Sequence, residues 1–383
     1  MHKQFRTFPQ LVMVGLLAFA SAAFAQVSPS PERGQASPAK AIDPDLLRKA
    51  TAGDILSQRT VGFIYLQGLG VQKDYAQAEA WLRKAAEQGD TQSQNLLGKL
   101  YYDGQGVPRN FAQAAIWWRK AADQGNASAQ YDLGLLYRDG EGVQKDYAQA
   151  AAWLRKAAEQ GDAQSQRSLA KLYYDGQGVP RNYEQAAIWW RKAADQGNAS
   201  AQYDLGLLYR DGEGVENDYA QAAVWFRKAA EQGHAGAQNA LGVRYQNGQG
   251  VPQDLTQAAI WYRKAAEQGE ANAQNSLGVL FYTGRGVQQD LAQAAAWVRK
   301  AAEQGSATAQ KNLGAFLMLG QGVPQDNSEA YFWLAVAVTG LTGTEQEGVA
   351  KTRDAIAAKL TPAELSAARN RAASWLAAHP RQR

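Results

Sequence analysis

One spacing constrains this chain more than any other feature. The first glycine of a Gly-x-Gly-Val turn stands at Gly68, Gly104, Gly140, Gly176, Gly212, Gly248, Gly284 and Gly320, and every step is 36 residues. Eight copies without an insertion do not wrap around a single core. Each unit must bury its apolar side against the next, which is the logic of a solenoid. The spacing predicts an all-α chain: an α/α superhelical solenoid of eight 36-residue helix-turn-helix repeats with helical caps. Such arrays generally present surface rather than perform chemistry.

The segment from Asp90 to Gly125 shows why each unit holds two helices. Asp90 is placed to cap a first helix, as are Asp54, Asn126, Asp162, Asn198, His234, Glu270 and Ser306 in the other copies. Leu97, Gly98, Leu100 and Tyr101 then share one helical face. Glycine inside a helix costs about 1 kcal/mol relative to alanine. It is nevertheless retained at Gly62, Gly134, Gly206, Gly242, Gly278 and Gly314, with Ala170 the exception. A small residue there lets a neighbouring helix approach closely. Asp103-Gly104-Gln105-Gly106-Val107 turns the chain, because its glycines admit positive φ. No P-loop Lys-Ser/Thr follows, so the segment reads as a turn and not as a phosphate cradle.

Asn110 caps the second helix, and Gln113 is placed to complete a capping box that recurs through Asp326/Glu329. Ala114, Trp117, Trp118 and Ala121 form the buried face of that helix. Tryptophan returns at Trp81, Trp153, Trp189, Trp225, Trp261, Trp297 and Trp333. Strict spacing on the apolar face reads as core rather than as a carbohydrate platform. The Arg83-Lys84 pair, repeated through Arg299-Lys300, is expected to lie away from that stripe on a solvated face. Its acids stand C-terminal to the bases, the weaker orientation on a helix.

The ends differ from the repeats. Residues 1–25 read as a secretory signal peptide, with Lys3 and Arg6 before an apolar run from Leu11 to Ala20 and Ala23-Phe24-Ala25 before the cut. Residues 26–42 read as a flexible Pro/Ser/Ala/Gln linker. An N-terminal cap helix is expected over 43–53, with Pro44 at its first position, and the repeats over 54–340. C-terminal capping helices fill 341–383: one from about Glu345 to Leu360, and one opened by Thr361-Pro362-Ala363-Glu364. Trp375 is expected to cover the last open face. The chain has no cysteine, so neither a lipobox nor a disulfide is available, and helix packing must supply the stability. Net charge is only +4, with both signs interleaved, which does not provide the clustered cations of a nucleic-acid footprint.

The residues of one repeat resemble the Sel-one-like repeat family, a longer-turned relative of the tetratricopeptide repeat. The resemblance rests on Ala129-Gln130, Leu133-Gly134, Tyr137, Gly140 to Val143, Asp146, Ala150, Trp153, Ala157-Ala158 and Gly161, and covers about residues 54–340. It implies a right-handed superhelix that serves as a protein-interaction scaffold. Exported bacterial members of the family are often envelope or virulence adaptors. Partner identity does not transfer with a fold.

A second period overlies the first. Pro108, Pro180, Pro252 and Pro324 mark alternate turns, and residues 98–160 nearly repeat as 170–232. The duplicated unit is therefore 72 residues, so a site in the second and third repeats is expected again in the fourth and fifth.

Catalysis finds little support. Beyond the leader the only histidines are His234 and His379, and no Ser-His pair or metal-ligand spacing is visible. No cofactor or metal is expected. The first-helix face opposite the core is the better candidate. Its positions are spaced i, i+4, i+7 and vary from repeat to repeat while the core does not. The expected partner-binding residues are Tyr102, Tyr131, Arg138, Lys171, Tyr174, Tyr203 and Arg210, which the resemblance puts on the concave surface. Tyrosine and arginine are favoured at binding hot spots. The function expected is a non-catalytic adaptor, periplasmic or secreted, that binds a protein or peptide. The alternative is a cell-wall or polysaccharide-binding protein, and an envelope hydrolase comes last.

Overall fold

The structure, a computed structural model, describes residues 42–380. The expected signal peptide and all of the linker except Ile42 lie outside the described residues. Among the described residues there are nineteen helices and no strand. Helix α1 (Pro44–Thr51) precedes eight pairs: α2 (Ile55–Gln67) with α3 (Tyr75–Glu87), α4 (Thr91–Asp103) with α5 (Phe111–Asp123), α6 (Ala127–Asp139) with α7 (Tyr147–Glu159), α8 (Ala163–Asp175) with α9 (Tyr183–Asp195), α10 (Ala199–Asp211) with α11 (Tyr219–Glu231), α12 (Ala235–Asn247) with α13 (Leu255–Glu267), α14 (Ala271–Thr283) with α15 (Leu291–Glu303), and α16 (Ala307–Leu319) with α17 (Asn327–Val338). Two further helices, α18 (Gly343–Ala357) and α19 (Pro362–Ala378), both pack on α17. Helix α18 starts two residues earlier and ends three residues earlier than its sequence indicates.

Every first helix of a pair carries the expected cap. Asp90 accepts from Ser93 N at 2.8 Å, and His234 plays the same part through Nδ1, 3.1 Å from Ala237 N. These helices end on a left-handed glycine such as Gly104, φ 72°. The next glycine in the turn answers a closer constraint. A Cβ on Gly142 would lie 2.2 Å from the carbonyl carbon of Phe111, so each turn rests on the start of the preceding repeat's second helix.

The second helices are also capped, but only half of the expected box forms. Gln113 N donates to Asn110 Oδ1 at 3.0 Å. The return bond has no donor to take, because Asn110 N already donates to Tyr101 O at 2.9 Å. The complete box occurs at Thr361, whose backbone N–H is free for Glu364.

Packing follows from the small residues. A Cβ on Gly98 would lie 2.6 Å from Trp118 Cδ1, so the first helix seats directly on the indole of its partner. The smaller core clusters join a second helix, the next first helix and the following tryptophan, as in Leu82, Leu97 and Trp117, and two larger ones run through several repeats. Trp375 meets Trp333 edge-on at 6.3 Å and packs, partly buried, against the last core cluster.

The lysines of the Arg-Lys ladder are exposed as expected, but they do not lie away from the tryptophans. Lys84 Nζ sits 4.1 Å from the centre of the Trp81 ring, and the same contact recurs from Lys120 over Trp117 to Lys300 over Trp297. A separation of three residues places both side chains on one helical face, and the cation lids the indole. The arginines reach onward: Arg155 donates to Tyr173 Oη at 2.5 Å in the next repeat, and Arg119 does so to Tyr137. Arg83 takes Glu79, four residues N-terminal, which is the favourable orientation.

Candidate functional site

One row of first-helix side chains, expected to face away from the core, instead packs its aromatic members against it: Tyr102 lies 5.4 Å from Trp118 and Tyr203 5.8 Å from Phe226. In α8, Arg167, Lys171 and Tyr174 succeed one another along that row, and in α10 Tyr203, Leu207 and Arg210 do the same. Between these two helices the surface opens into a crevice of about 240 Å³. Four of the seven sequence-derived residues line it: Arg138, Lys171, Tyr174 and Arg210. The other three lie outside its wall. Tyr102 packs its ring 5.1 Å from Phe111 and 5.4 Å from Trp118. Tyr131 is half-buried against the cluster around α7–α9. Tyr203 stacks on His234 at 4.7 Å.

The same crevice contains residues that the i, i+4, i+7 reading passed over. Asp204 is the most telling. It lies one position beyond that row and accepts from Arg167 Nε at 3.2 Å, across from α8 to α10. Burial pushes its carboxyl above the usual aspartate range, and Arg167 opposes that push. Its presence was legible in the 72-residue duplication, which pairs Asp132 with Asp204. Ser168 contributes space. Its counterpart 72 residues earlier is Leu96, and Leu135, the counterpart of Leu207, is buried at 3% exposure. The duplication therefore copies the frame of the crevice but puts one larger apolar side chain, Leu96, in its forerunner.

Charge here is held in pairs. Arg138 clasps Asp139 through two bonds of 2.8 Å, and Arg210 clasps Asp211 at 2.7 and 2.6 Å. Lys171 Nζ lies 3.0 Å from Asp175 Oδ1. Such partly exposed pairs contribute little stability but fix side-chain direction. The Tyr174 hydroxyl bonds the Glu213 carboxylate, and that bond, together with burial, pushes its pKa up to about 12. Tyr174 is thus a neutral phenol set beside Trp190, ring centres 5.4 Å apart. The arrangement offers paired cations, a phenol and an apolar floor, which suits docking of a polar chain. Among the described residues no group of three or more His, Cys, Asp or Glu side chains is placed to hold a metal, and no helix is long and apolar enough to cross a membrane.

Comparison with known proteins agrees with this architecture. The Sel1 repeat model matches eight consecutive segments: 56–90, 91–126, 127–162, 163–198, 199–234, 235–270, 271–306 and 307–338. The chain belongs to the Sel1 repeat family. A Sel1 repeat protein of Oxalobacter formigenes is 32% identical, covering 87% of this chain and 99% of its own, with a TM-score of 0.63. A protective antigen of uropathogenic Escherichia coli is also 32% identical over 87% of this chain and 86% of its own, with a TM-score of 0.48. No curated protein matches the chain. Sel1 repeat proteins are generally non-catalytic scaffolds for protein interaction.

Proposed function

We propose that this Sel1 repeat chain is an adaptor of the bacterial cell envelope, periplasmic or secreted, which binds an extended segment of a protein along its first-helix face. The observation that carries the reading is the α8–α10 crevice. It lies at positions that differ between repeats, while the Trp189 and Gln166 positions of the repeat frame stay fixed. A surface that varies over an unvarying frame is what an array needs in order to recognise a particular partner. Export rests on the leader read at residues 1–25, and a mature chain beginning at Gln26 in a cell fractionation would support it.

The test is capture from native envelope extract with residues 26–383 as bait, beside a bait carrying Arg138→Glu, Lys171→Glu and Tyr174→Ala. A protein held only by the unaltered bait, and rebound when both are purified, supports the adaptor. Equal capture by both baits moves the site off this crevice. Co-sedimentation with purified peptidoglycan and no protein capture would favour the wall-binding alternative. Hydrolysis of a wall substrate, abolished by changing a single carboxylate, would overturn the non-catalytic reading.

A further inference from the structure

One charge in the stack has no counterpart elsewhere. Arg244 in α12 occupies the register position held by Leu100, Leu136, Leu172, Leu208, Leu280 and Phe316 in other repeats, all of them core residues. The arginine is nearly as enclosed, at 7% exposure. Its Nε and Nη1 are buried and make no hydrogen bond, and the Tyr219 ring lies 5.2 Å from the guanidinium carbon. Asp211 acts on Arg244 without an ion pair and is already clasped by Arg210, and a buried guanidinium whose donors go unmet is among the costliest groups a core holds.

The acids that pair the cations of earlier first helices stop where Arg244 begins. Asp139, Asp175 and Asp211 are followed at the same register by Asn247 and Thr283. Asp204 is followed by Ala240 and Ser276. The nearby aromatic hydroxyl supplies no charge either. Tyr262 donates to Gln246 Oε1 at 2.8 Å, and burial pushes its pKa up to about 12, so it stays neutral. The acceptor left over in the following turn, Gln249 Oε1, is an uncharged amide oxygen. Burial, then the like charge of Arg210, holds the Arg244 guanidinium below the usual arginine range. Shifting the duplication by 72 residues places Arg244 where Leu172 lines the crevice, Tyr262 where Trp190 does and Ser276 where Asp204 does. The α12–α14 segment therefore holds the crevice's register with another lining: Arg167, Lys171, Arg210 and Asp204 give way to Asn239, Val243, Tyr282 and Ser276, and Arg244 is the cation that enters.

We propose that Arg244 is an anchor for a carboxylate of the bound peptide, seated between α12 and α14 one 72-residue unit beyond the crevice. The inference rests on the adaptor reading for the peptide, and on Arg244 alone for the anion. An incoming carboxylate supplies the opposite charge and accepts from donors the fold leaves unused, so binding removes a penalty built into the free protein.

Binding of capped, amidated tetraglutamate to the purified chain at fixed salt tests this, with capped tetraglutamine, uncapped tetraglutamate and inorganic phosphate as further probes. The variants are Arg244→Leu, which restores the residue of the neighbouring repeats, and Arg285→Leu, which removes an equal charge from an exposed turn. Tetraglutamate is expected to bind at least tenfold more weakly to Arg244→Leu and within twofold of normal to Arg285→Leu, while Arg244→Leu unfolds at a higher temperature. Capped tetraglutamate binding as well as the uncapped form assigns the carboxylate to side chains, and tighter binding of the uncapped form assigns it to the chain end; each supports the anchor. Equal weakening by the two variants, no preference over tetraglutamine, a lowered unfolding temperature for Arg244→Leu, or displacement by equimolar phosphate would each overturn it. A partner still captured through Arg138, Lys171 and Tyr174, with no effect of Arg244→Leu, leaves the adaptor standing and removes the anchor. Arg244-dependent binding without any captured protein does the reverse.

Discussion

Gln196 Nε2 donates to Gln166 Oε1 at 2.8 Å, and Gln166 Nε2 donates in turn to Ala158 O at 3.1 Å. The first contact ties the two helices of one repeat together, and the second ties that repeat to the one before. The relay recurs along the stack, from Gln88, Gln58 and Ala50 to Gln304, Gln274 and Ala266. It adds a side-chain donor to a carbonyl near each helix end, beside the backbone donor already there, as Gly161 N is to Ala158 O at 3.0 Å.

Replacing Gln166 with leucine keeps the bulk and removes both bonds. Ala158 O and the Gln196 amide then lose a buried partner, at a cost of about 1–3 kcal/mol. Urea unfolding should show that loss. Because contacts in the stack are between neighbours, hydrogen exchange should rise mainly around α7 to α9.

Two left-handed glycines should respond differently to alanine. At Gly142, φ 68°, the new Cβ meets backbone of Phe111 at 2.2 Å, whereas at Gly161, φ 94°, nothing lies within 4 Å. Gly161→Ala should cost about 1–2 kcal/mol from backbone strain alone. Gly142→Ala should cost about 1–3 kcal/mol more, because a turn must lift off the helix beneath it. The difference in urea midpoints between the two variants measures the clash.

His234 gives the stack a pH dependence. Burial, then Arg167, lowers its pKa below the usual 6.5, and its neutral Nδ1 accepts from Ala237 N. The unfolded chain therefore binds the proton more readily than the folded one. Stability is full above about pH 6.5 and is lost as pH falls from there through the lower folded value. Thermal unfolding between pH 7.5 and 5 should show this slope, and His234→Asn, with the cap found in other repeats, should flatten it.

Asp204 works in the opposite direction. Its folded carboxyl titrates above the usual 3.8, so its contribution is full below that value and is lost as pH rises through the raised one. Arg167→Met removes the opposing charge and should carry the loss to higher pH. Asp204→Asn should remove it. Urea midpoints from pH 3 to 7 for the two variants are the check.

Much of the fold was legible because each signal is local. Caps such as Asp90, the left-handed Gly104 and the small Gly98 act within one or two turns of chain, and the 36-residue period repeats them. The misreadings came from contacts between turns and helices. Gln113 could not close its box because Asn110 N is taken by Tyr101 O, a bond made across the turn. Lys84 is exposed as expected, but it was placed away from the tryptophans, although its spacing from Trp81 puts both on one face. The first-helix row led to Arg138, Lys171, Tyr174 and Arg210, but Asp204 enters from the flank facing α8, a direction that one-helix periodicity does not encode.

By itself, then, the sequence determined the repeat, its two helices, their ends and their buried faces. Each of these follows from backbone geometry and hydrophobic spacing over a few residues. Tertiary structure decided which polar groups pair across the stack and which do not: the Gln196–Gln166 relay, the Arg167–Asp204 bridge, and the unbonded Nε and Nη1 of Arg244. Those outcomes depend on distances between side chains some 30 or more residues apart, and on which group reaches an acceptor first. Helix packing fixes both, and neither is written in any single repeat.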